Sequence, residues 1–282
     1  MHGRRVVNAV TMRALLKISI AAGVLLAFPA WHDAPVRAQG PAAARGAASA
    51  KTWLGHNAEI EAYLRSAEIE RFDDISVGVT RPKRAHLKPG GPVESLVWKR
   101  LPPGRRGGHW ESYKSEIAAY EVDKMLATNM VPPVVEREVD GDPGAAVMWI
   151  GPTRTVKEMG GKLPTGAGAA HDIRKMLMFD NFIGNPDRNA GNILVDGGGN
   201  IILIDHSRAF IDKTELPSKF ERVDQTLWTA IRELTPEALR ERLEPLVGGR
   251  AIDAMLERRS RMQSAVDALV AKKGRSLVII PD

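Results

Sequence analysis

The 282-residue chain contains no cysteine, so disulfides, thiol nucleophiles and thiolate-ligated metals are all excluded. Its fold must be held by packing alone. Zinc chemistry has no foothold either, because no HExxH is present and the seven histidines are dispersed. No GxSxG occurs and no Ser/His/Asp ordering stands out, which argues against a hydrolase. Gly160-Gly161-Lys162 is not a P-loop: Leu163 stands where Ser or Thr is needed, and the upstream glycine is misplaced. Aromatics make up only 5%, and none interleaves with basic residues in the way that stacks nucleic-acid bases.

What is present suits one medium-sized domain or two small lobes: 44% hydrophobic and 26% charged residues. The net charge of +6 comes from scattered residues with local runs at 81–84, 99–106 and 258–261. This reads as a solvated basic surface, and it argues against a nucleic-acid partner. At the N-terminus, Arg4, Arg5, Arg13 and Lys17 precede an apolar run over 18–31, followed by Val36-Arg37-Ala38. This is the pattern of a basic region, an apolar region and a cleavage site. The run is about 14 residues, short of the roughly 20 that span a bilayer. Residues 1–38 therefore read as a signal peptide or membrane anchor, which places the protein outside the cytosol, either exported or membrane-attached. The Ala/Gly/Pro-rich stretch 39–52 reads as a flexible linker, leaving 53–282 as the folded domain.

Within that domain, helical periodicity covers 57–70, with Asn57 as cap. Residues 75–87 alternate as a strand broken at Pro82, 88–92 is a turn, and 95–101 is the returning strand. A mobile polar loop over 102–109 precedes a helix over 112–127. Strands at 131–135 and 145–150 flank a glycine-bearing turn, and 170–183 is a second apolar helix. A polar loop follows, then a hairpin of 193–195 and 201–204 around Gly197-Gly198-Gly199, then amphipathic helix from 225 onward. The order predicts an α+β fold of two lobes, strand-rich over about 53–151 and helical over about 152–282, with a ligand between them.

The polar loop carries the chemistry. Asp187 and Asn192 are five apart, and Asp205 ends an apolar strand 18 residues after Asp187. Phosphoryl transfer needs a carboxylate near the attacking hydroxyl, and oxygen ligands that hold Mg²⁺ or Mn²⁺ against phosphates. Alternatively, Asp187, Asn189 and Asn192 simply cap turns. Lys99 on a strand and Glu116 on the next helix form a pair able to grip nucleotide phosphates; taken alone, Lys99 is an ordinary edge-strand lysine. Gly90 and Gly91, just before the Lys99 strand, could approach phosphates through backbone N–H groups or could be only a tight hairpin. Gly78-Val79-Thr80 is the other candidate for that role.

Three segments carry a family resemblance: 115–120 through 131–134, 179–188, and Ile204-Asp205-His206-Ser207-Arg208-Ala209-Phe210. In this order they resemble the helix-and-strand signature, catalytic loop and metal-binding segment of the secretory-pathway kinases. That family includes the Golgi casein kinase and the glycosaminoglycan xylose kinase. The Asp-Arg-x-x-x-Asn run is also similar to phosphatidylinositol 3/4-kinases and to bacterial HipA-type kinases, and the lack of cysteine points to a bacterial relative. The resemblance implies an atypical kinase fold using ATP with Mg²⁺ or Mn²⁺. It implies Lys99 on the nucleotide phosphates, Glu116 orienting Lys99 or the metal, Asp187 as catalytic base, and Asn192 and Asp205 as metal ligands. Arg188 would support the loop. Read from the residues alone, His109 and His206 are surface or structural histidines, and stacking near the metal segment is the alternative for His206. The phosphate acceptor is a hydroxyl of a protein, glycan or lipid. The alternative is a catalytically inactive pseudokinase acting as a nucleotide- or partner-binding module.

Overall fold

The computed structural model describes residues 49–75 and 82–281. The apolar N-terminal run and the Gly78–Thr80 segment lie outside them. The first half contains α1 (Asn57–Ser66), β1 (Ile69–Asp74), β2 (Lys83–Leu87), β3 (Ser95–Lys99), β4 (Gly104–Arg106), β5 (His109–Glu111), α2 (Tyr113–Leu126), β6 (Val134–Val139) and β7 (Asp142–Met148). The second half contains β8 (Thr153–Thr155), α3 (Ala167–Ile183), β9 (Ile193–Asp196), β10 (Ile201–Leu203), β11 (Val223–Asp224), α4 (Gln225–Glu233), α5 (Pro236–Val247), α6 (Gly249–Lys273), α7 (Arg275–Val278) and β12 (Ile279–Ile280). This is the expected α+β architecture, strand-rich first and helical after.

An antiparallel five-stranded sheet, ordered β1-β2-β3-β7-β6, forms the first lobe. One hydrophobic cluster joins this sheet to α1, with Ile60, Leu64, Leu96 and Trp98 buried alongside Trp53 and Ile202. The second cluster runs from α2 into the helical lobe, where Tyr120, Phe179, Phe182, Ile252 and Met255 are buried. The α2 helix starts where the Ser112 hydroxyl accepts the Lys114 N–H. Just past its end, the Asp123 carboxylate accepts the Thr128 hydroxyl and the Met130 and Val131 N–H groups. Burial pushes that carboxyl group up despite these donors. The same bonds turn the chain toward β6, which fixes where α2 lies against the sheet.

Several expected boundaries move. The first helix stops at Ser66 instead of 70, because Arg137 of β6 donates to the Leu64 and Ala67 carbonyls (3.0 and 2.6 Å). The following residues are then free to form β1 against β2. The polar loop over 102–109 contains the β4–β5 hairpin. Strand β8 and the parallel β11–β12 pair carry no sequence signal, since each is only two or three residues long and exists by pairing. The end of the stretch read as a linker is docked: Asp196 accepts the Ala50 N–H at 2.9 Å and the Ser49 hydroxyl at 3.2 Å.

The helical lobe is built on α3, whose C-terminus is held by a buried arginine from α6. Arg258 donates to the carbonyls of Phe182, Ile211 and Lys213 at 3.1, 3.1 and 2.5 Å, and burial lowers its pKa to about 10. The Cα of Gly184 caps α3 in the left-handed region (φ +66°) directly beside that guanidinium. A methyl group there would be strained and would strike Arg258. Gly184→Ala is therefore expected to lower stability by about 1–3 kcal/mol, measured by thermal unfolding. An unchanged melting temperature would contradict this packing.

Candidate active site

Lys99 is the last residue of β3, and its ammonium reaches Glu116 Oε1 of α2 at 2.6 Å and Asp205 Oδ1 at 3.0 Å. Glu116 sits in the first turn of α2 and is 2% exposed. Its second oxygen accepts the His206 backbone N–H at 2.9 Å. Burial alone would lower the Lys99 pKa, but Asp205 and Glu116 outweigh it and raise the pKa above the lysine range. Burial alone would raise Glu116; Lys99 and His206 overcome it and hold the carboxyl well below the usual carboxylate range. The lysine is thus firmly cationic, aimed by one carboxylate and shared with another.

The sign of the pH effect follows. Glu116 has a folded pKa below its unfolded value of 4.5. The stability it contributes is present above that value and lost as pH falls toward the folded pKa. Acid unfolding of the wild type is expected to ease in Glu116→Gln, whose loss of stability at neutral pH shrinks below pH 4.5. Denaturant midpoints across pH check this, and a pH-independent difference would refute it.

The polar loop between α3 and β9 is locked from below by Arg188. Its guanidinium pairs with buried Asp180 of α3 (Nε to Oδ2, 2.9 Å) and donates to the carbonyls of Asn192 (2.7 Å) and Ile204 (2.8 Å). It also meets His206 Nε2 at 2.7 Å. The imidazole is buried edge-on against Phe179, with centroids 6.0 Å apart. Burial, then Arg188, pushes its pKa down, so the ring is neutral, with Nε2 accepting from Arg188. Asn192 ties the centre together: its amide donates to the Asp187 carbonyl at 3.0 Å, and its own carbonyl accepts the Ile204 N–H at 3.2 Å. Asp187, Asn192 and Asp205 are therefore brought together as adjoining parts of one loop-and-strand assembly.

Asp205 has a left-handed backbone (φ +58°), uncommon for a non-glycine residue, and its side chain is 32% exposed. Among the described residues, hydrogen bonds reach Asp205 only at Oδ1 and Asp187 only at Oδ2, and Asn192 Oδ1 accepts none. Three oxygens are left available as ligands or acceptors. No group of three or more His, Cys, Asp or Glu residues able to hold a metal occurs among the described residues. An ion here would need oxygens from phosphates or water, as Mg²⁺ sites in phosphotransferases commonly do.

Two residues that the sequence reading assigned no role complete the site. Arg208 Nη1 approaches Asp187 Oδ2 at 3.3 Å, while its Nε and Nη2 clasp Glu111 Oε1 at 2.9 and 2.7 Å. Glu111 ends β5 and is 3% exposed. A glutamate closing a polar hairpin was the only available signal, and it resembles any surface residue. Gly90 and Gly91 must be corrected. The register pairs Lys83 with Trp98 and His86 with Ser95, so the β2–β3 turn lies at the end of β3 opposite Lys99. There, Gly91 gives room to the Tyr63 ring, where a Cβ would collide.

A sheet-rich lobe and a helical lobe, with a strand lysine, a helix glutamate and a loop-borne aspartate meeting between them, define a kinase-like fold. Solved secretory-pathway kinases share that fold. Hydra Fam20, solved with a sugar, superposes with a TM-score of 0.64 at 18% identity, covering 80% of this chain and 92% of that one. The Golgi casein kinase gives 0.60 at 14% identity, covering 78% of each chain, and its structure with Mn and ADP gives 0.58 at 15%. No protein-family model and no curated protein sequence matches the chain.

Proposed function

We propose that the protein is an ATP-dependent phosphotransferase that places a phosphoryl group on a hydroxyl of a protein, glycan or lipid. The observation that carries this is Lys99 held between Glu116 and Asp205, beside a loop that leaves Asp187, Asn192 and Asp205 with free oxygens. Lys99 grips the nucleotide phosphates, and Glu116 keeps it extended toward them. Both Glu116 oxygens are engaged, so its role here is on Lys99; holding an ion directly would require the ammonium to leave Oε1. Asn192 and Asp205 would hold the divalent ion, their available oxygens fitting a hard cation. When bound, Mg²⁺ or Mn²⁺ offsets phosphate charge. Asp187 accepts the proton of the acceptor hydroxyl as its oxygen bonds the γ-phosphorus and the bond to ADP breaks. The fold supports the reading, since one neighbour sharing it was solved with Mn and ADP.

Thermal shift with ATP plus Mn²⁺ or Mg²⁺, followed by a turnover assay, tests it. A ligand at about 100 times its Kd stabilises by roughly 2.7 kcal/mol, an easily read shift. Asp205→Asn should abolish the metal-dependent part. A wild type that binds no nucleotide with either ion would end this reading, while binding without turnover would make it a pseudokinase.

A further inference from the structure

Arg208 stands where the segment after Asp205 meets the sheet lobe. On either side of it the backbone is stitched to the start of α2. Glu116 Oε2 accepts the His206 N–H at 2.9 Å, the Ser112 N–H donates to the Ser207 carbonyl at 2.9 Å, and the Ser115 hydroxyl donates to the Ala209 carbonyl at 3.3 Å. The side chain is fixed as firmly. Its Nε and Nη2 both donate to Glu111 Oε1, and that carboxylate is buried while the guanidinium keeps a 22% exposed edge. Burial alone would weaken the cation, but Glu111 and then Asp187 outweigh it and raise its pKa.

The contact with Asp187 is of a different quality. Nη1 lies 3.3 Å from Asp187 Oδ2, longer than the roughly 2.7–2.9 Å of a well-made bond between a charged N–H and a carboxylate. Glu111 therefore anchors the guanidinium, and Asp187 only borders it. These contacts place three of the five N–H donors of an arginine; the other two meet no acceptor among the described residues. Arg188, next to Asp187 in the chain, is the opposite case. All five of its donors are taken, two by Asp180 and one each by the Asn192 carbonyl, the Ile204 carbonyl and His206. Of these two arginines, only Arg208 has donors to offer a ligand.

We infer that Arg208 is a catalytic residue whose free N–H groups hold the phosphoryl group during its transfer, with Glu111 as the positioning residue that aims it; this rests on the phosphotransfer reading above. A hydroxyl in hydrogen-bond reach of Asp187, about 2.6–3.2 Å, attacks a phosphorus about 3–3.5 Å away. A donor that already borders the Asp187 carboxylate is a neighbour of the oxygens on that phosphorus, over which negative charge spreads in the transition state. The attacking oxygen bonds the phosphorus as the bond to ADP breaks, the hydroxyl proton passes to Asp187, and Arg208 keeps its protons and supplies charge. Held in advance by a buried carboxylate, it needs no reordering at that moment. A simple counter-ion for Asp187 would pair with it closely and have no donors left over. The long contact and the spare donors fit a partner that arrives with the substrate.

The test compares thermal shifts of the full chain with Mn–ADP alone and with Mn–ADP plus aluminium fluoride, which stands in for the phosphoryl group in mid-transfer. Release of ADP from Mn–ATP, with water as acceptor, is measured alongside. The variants are R208A/E111Q and E111Q; pairing the two changes avoids leaving Glu111 as a buried, unpaired charge. Transition-state analogues report interactions made only in the transition state. R208A/E111Q should therefore keep the wild-type shift with Mn–ADP, lose the further shift with fluoride, and release ADP about 10²–10³-fold more slowly. E111Q should fall between it and the wild type, since the arginine remains but its anchor is weakened. A double variant that keeps the fluoride shift and releases ADP at the wild-type rate overturns the proposal. So does one that loses the Mn–ADP shift in equal measure, because the arginine would then serve the fold or the nucleotide and not the moving group. A wild type that takes up neither Mn–ADP nor fluoride fails the phosphotransfer reading itself, a result distinct from a wild type that takes up both and a double variant that matches it.

Discussion

Asp187→Asn should cut phosphotransfer by about 10³-fold, within the range that a positioned general base contributes, while leaving the fold and nucleotide binding in place. The stability side follows from burial. The Asp187 side chain is 34% exposed and its carboxylate has one side-chain partner, Arg208. That arginine remains clasped by Glu111 at 2.9 and 2.7 Å when the charge is removed. The loop itself is held by Arg188 and by backbone bonds that Asn at 187 does not disturb. The stability change should therefore stay within about 0.5 kcal/mol. Single-turnover kinetics with saturating Mn–ATP measures the first quantity and thermal unfolding the second. Near-wild-type turnover would remove Asp187 from the chemistry.

Lys99→Met should do the reverse in proportion, ending activity and also destabilising the fold. Glu116 would stay buried with its charge uncompensated except by His206, and breaking a buried pair in this way typically costs about 3–5 kcal/mol. Adding Glu116→Gln removes the orphaned charge, and the amide oxygen can still accept the His206 N–H. The double variant should regain most of the lost stability, because replacing both members of a buried pair is often close to neutral. Turnover should not return, since no ammonium remains to grip the phosphates beside the divalent ion. Urea midpoints and an ATP turnover assay on the four proteins of this cycle separate the two roles. A double variant no more stable than Lys99→Met alone would show that the pair is not the energetic unit described here.

Residues that bear charge inside apolar context were legible in the chain. Lys99 in a strand, Asp205 ending one, and Asp187 and Asn192 in a loop between an apolar helix and a hairpin stand out because burial of such groups is costly without a purpose. The helices α2 and α3 were equally plain, because long periodic runs outweigh local accidents. Arg208 and Glu111 were not legible. Their value lies in Arg208 meeting Asp187 across 21 positions of chain and Glu111 across 97, and each looks like an ordinary surface residue until the lobes pack. The same holds for Asp180, whose partner is Arg188, and for Arg258, whose partners are carbonyls of distant segments.

Gly90 and Gly91 show the opposite failure. Two glycines near a lysine expected to grip phosphates looked meaningful, but nearness in sequence along a strand is a distance of several residues in one direction. The antiparallel register carried them to the far end. Amino-acid order alone made the long helices and the main strands legible and singled out candidate side chains for the chemistry, since propensity, periodicity and the cost of burying charge act locally. Folding settled which of those side chains meet, where α1 ends, and which glycines serve packing. Those outcomes depend on register and on contacts between segments far apart in the chain, and no local pattern encodes them.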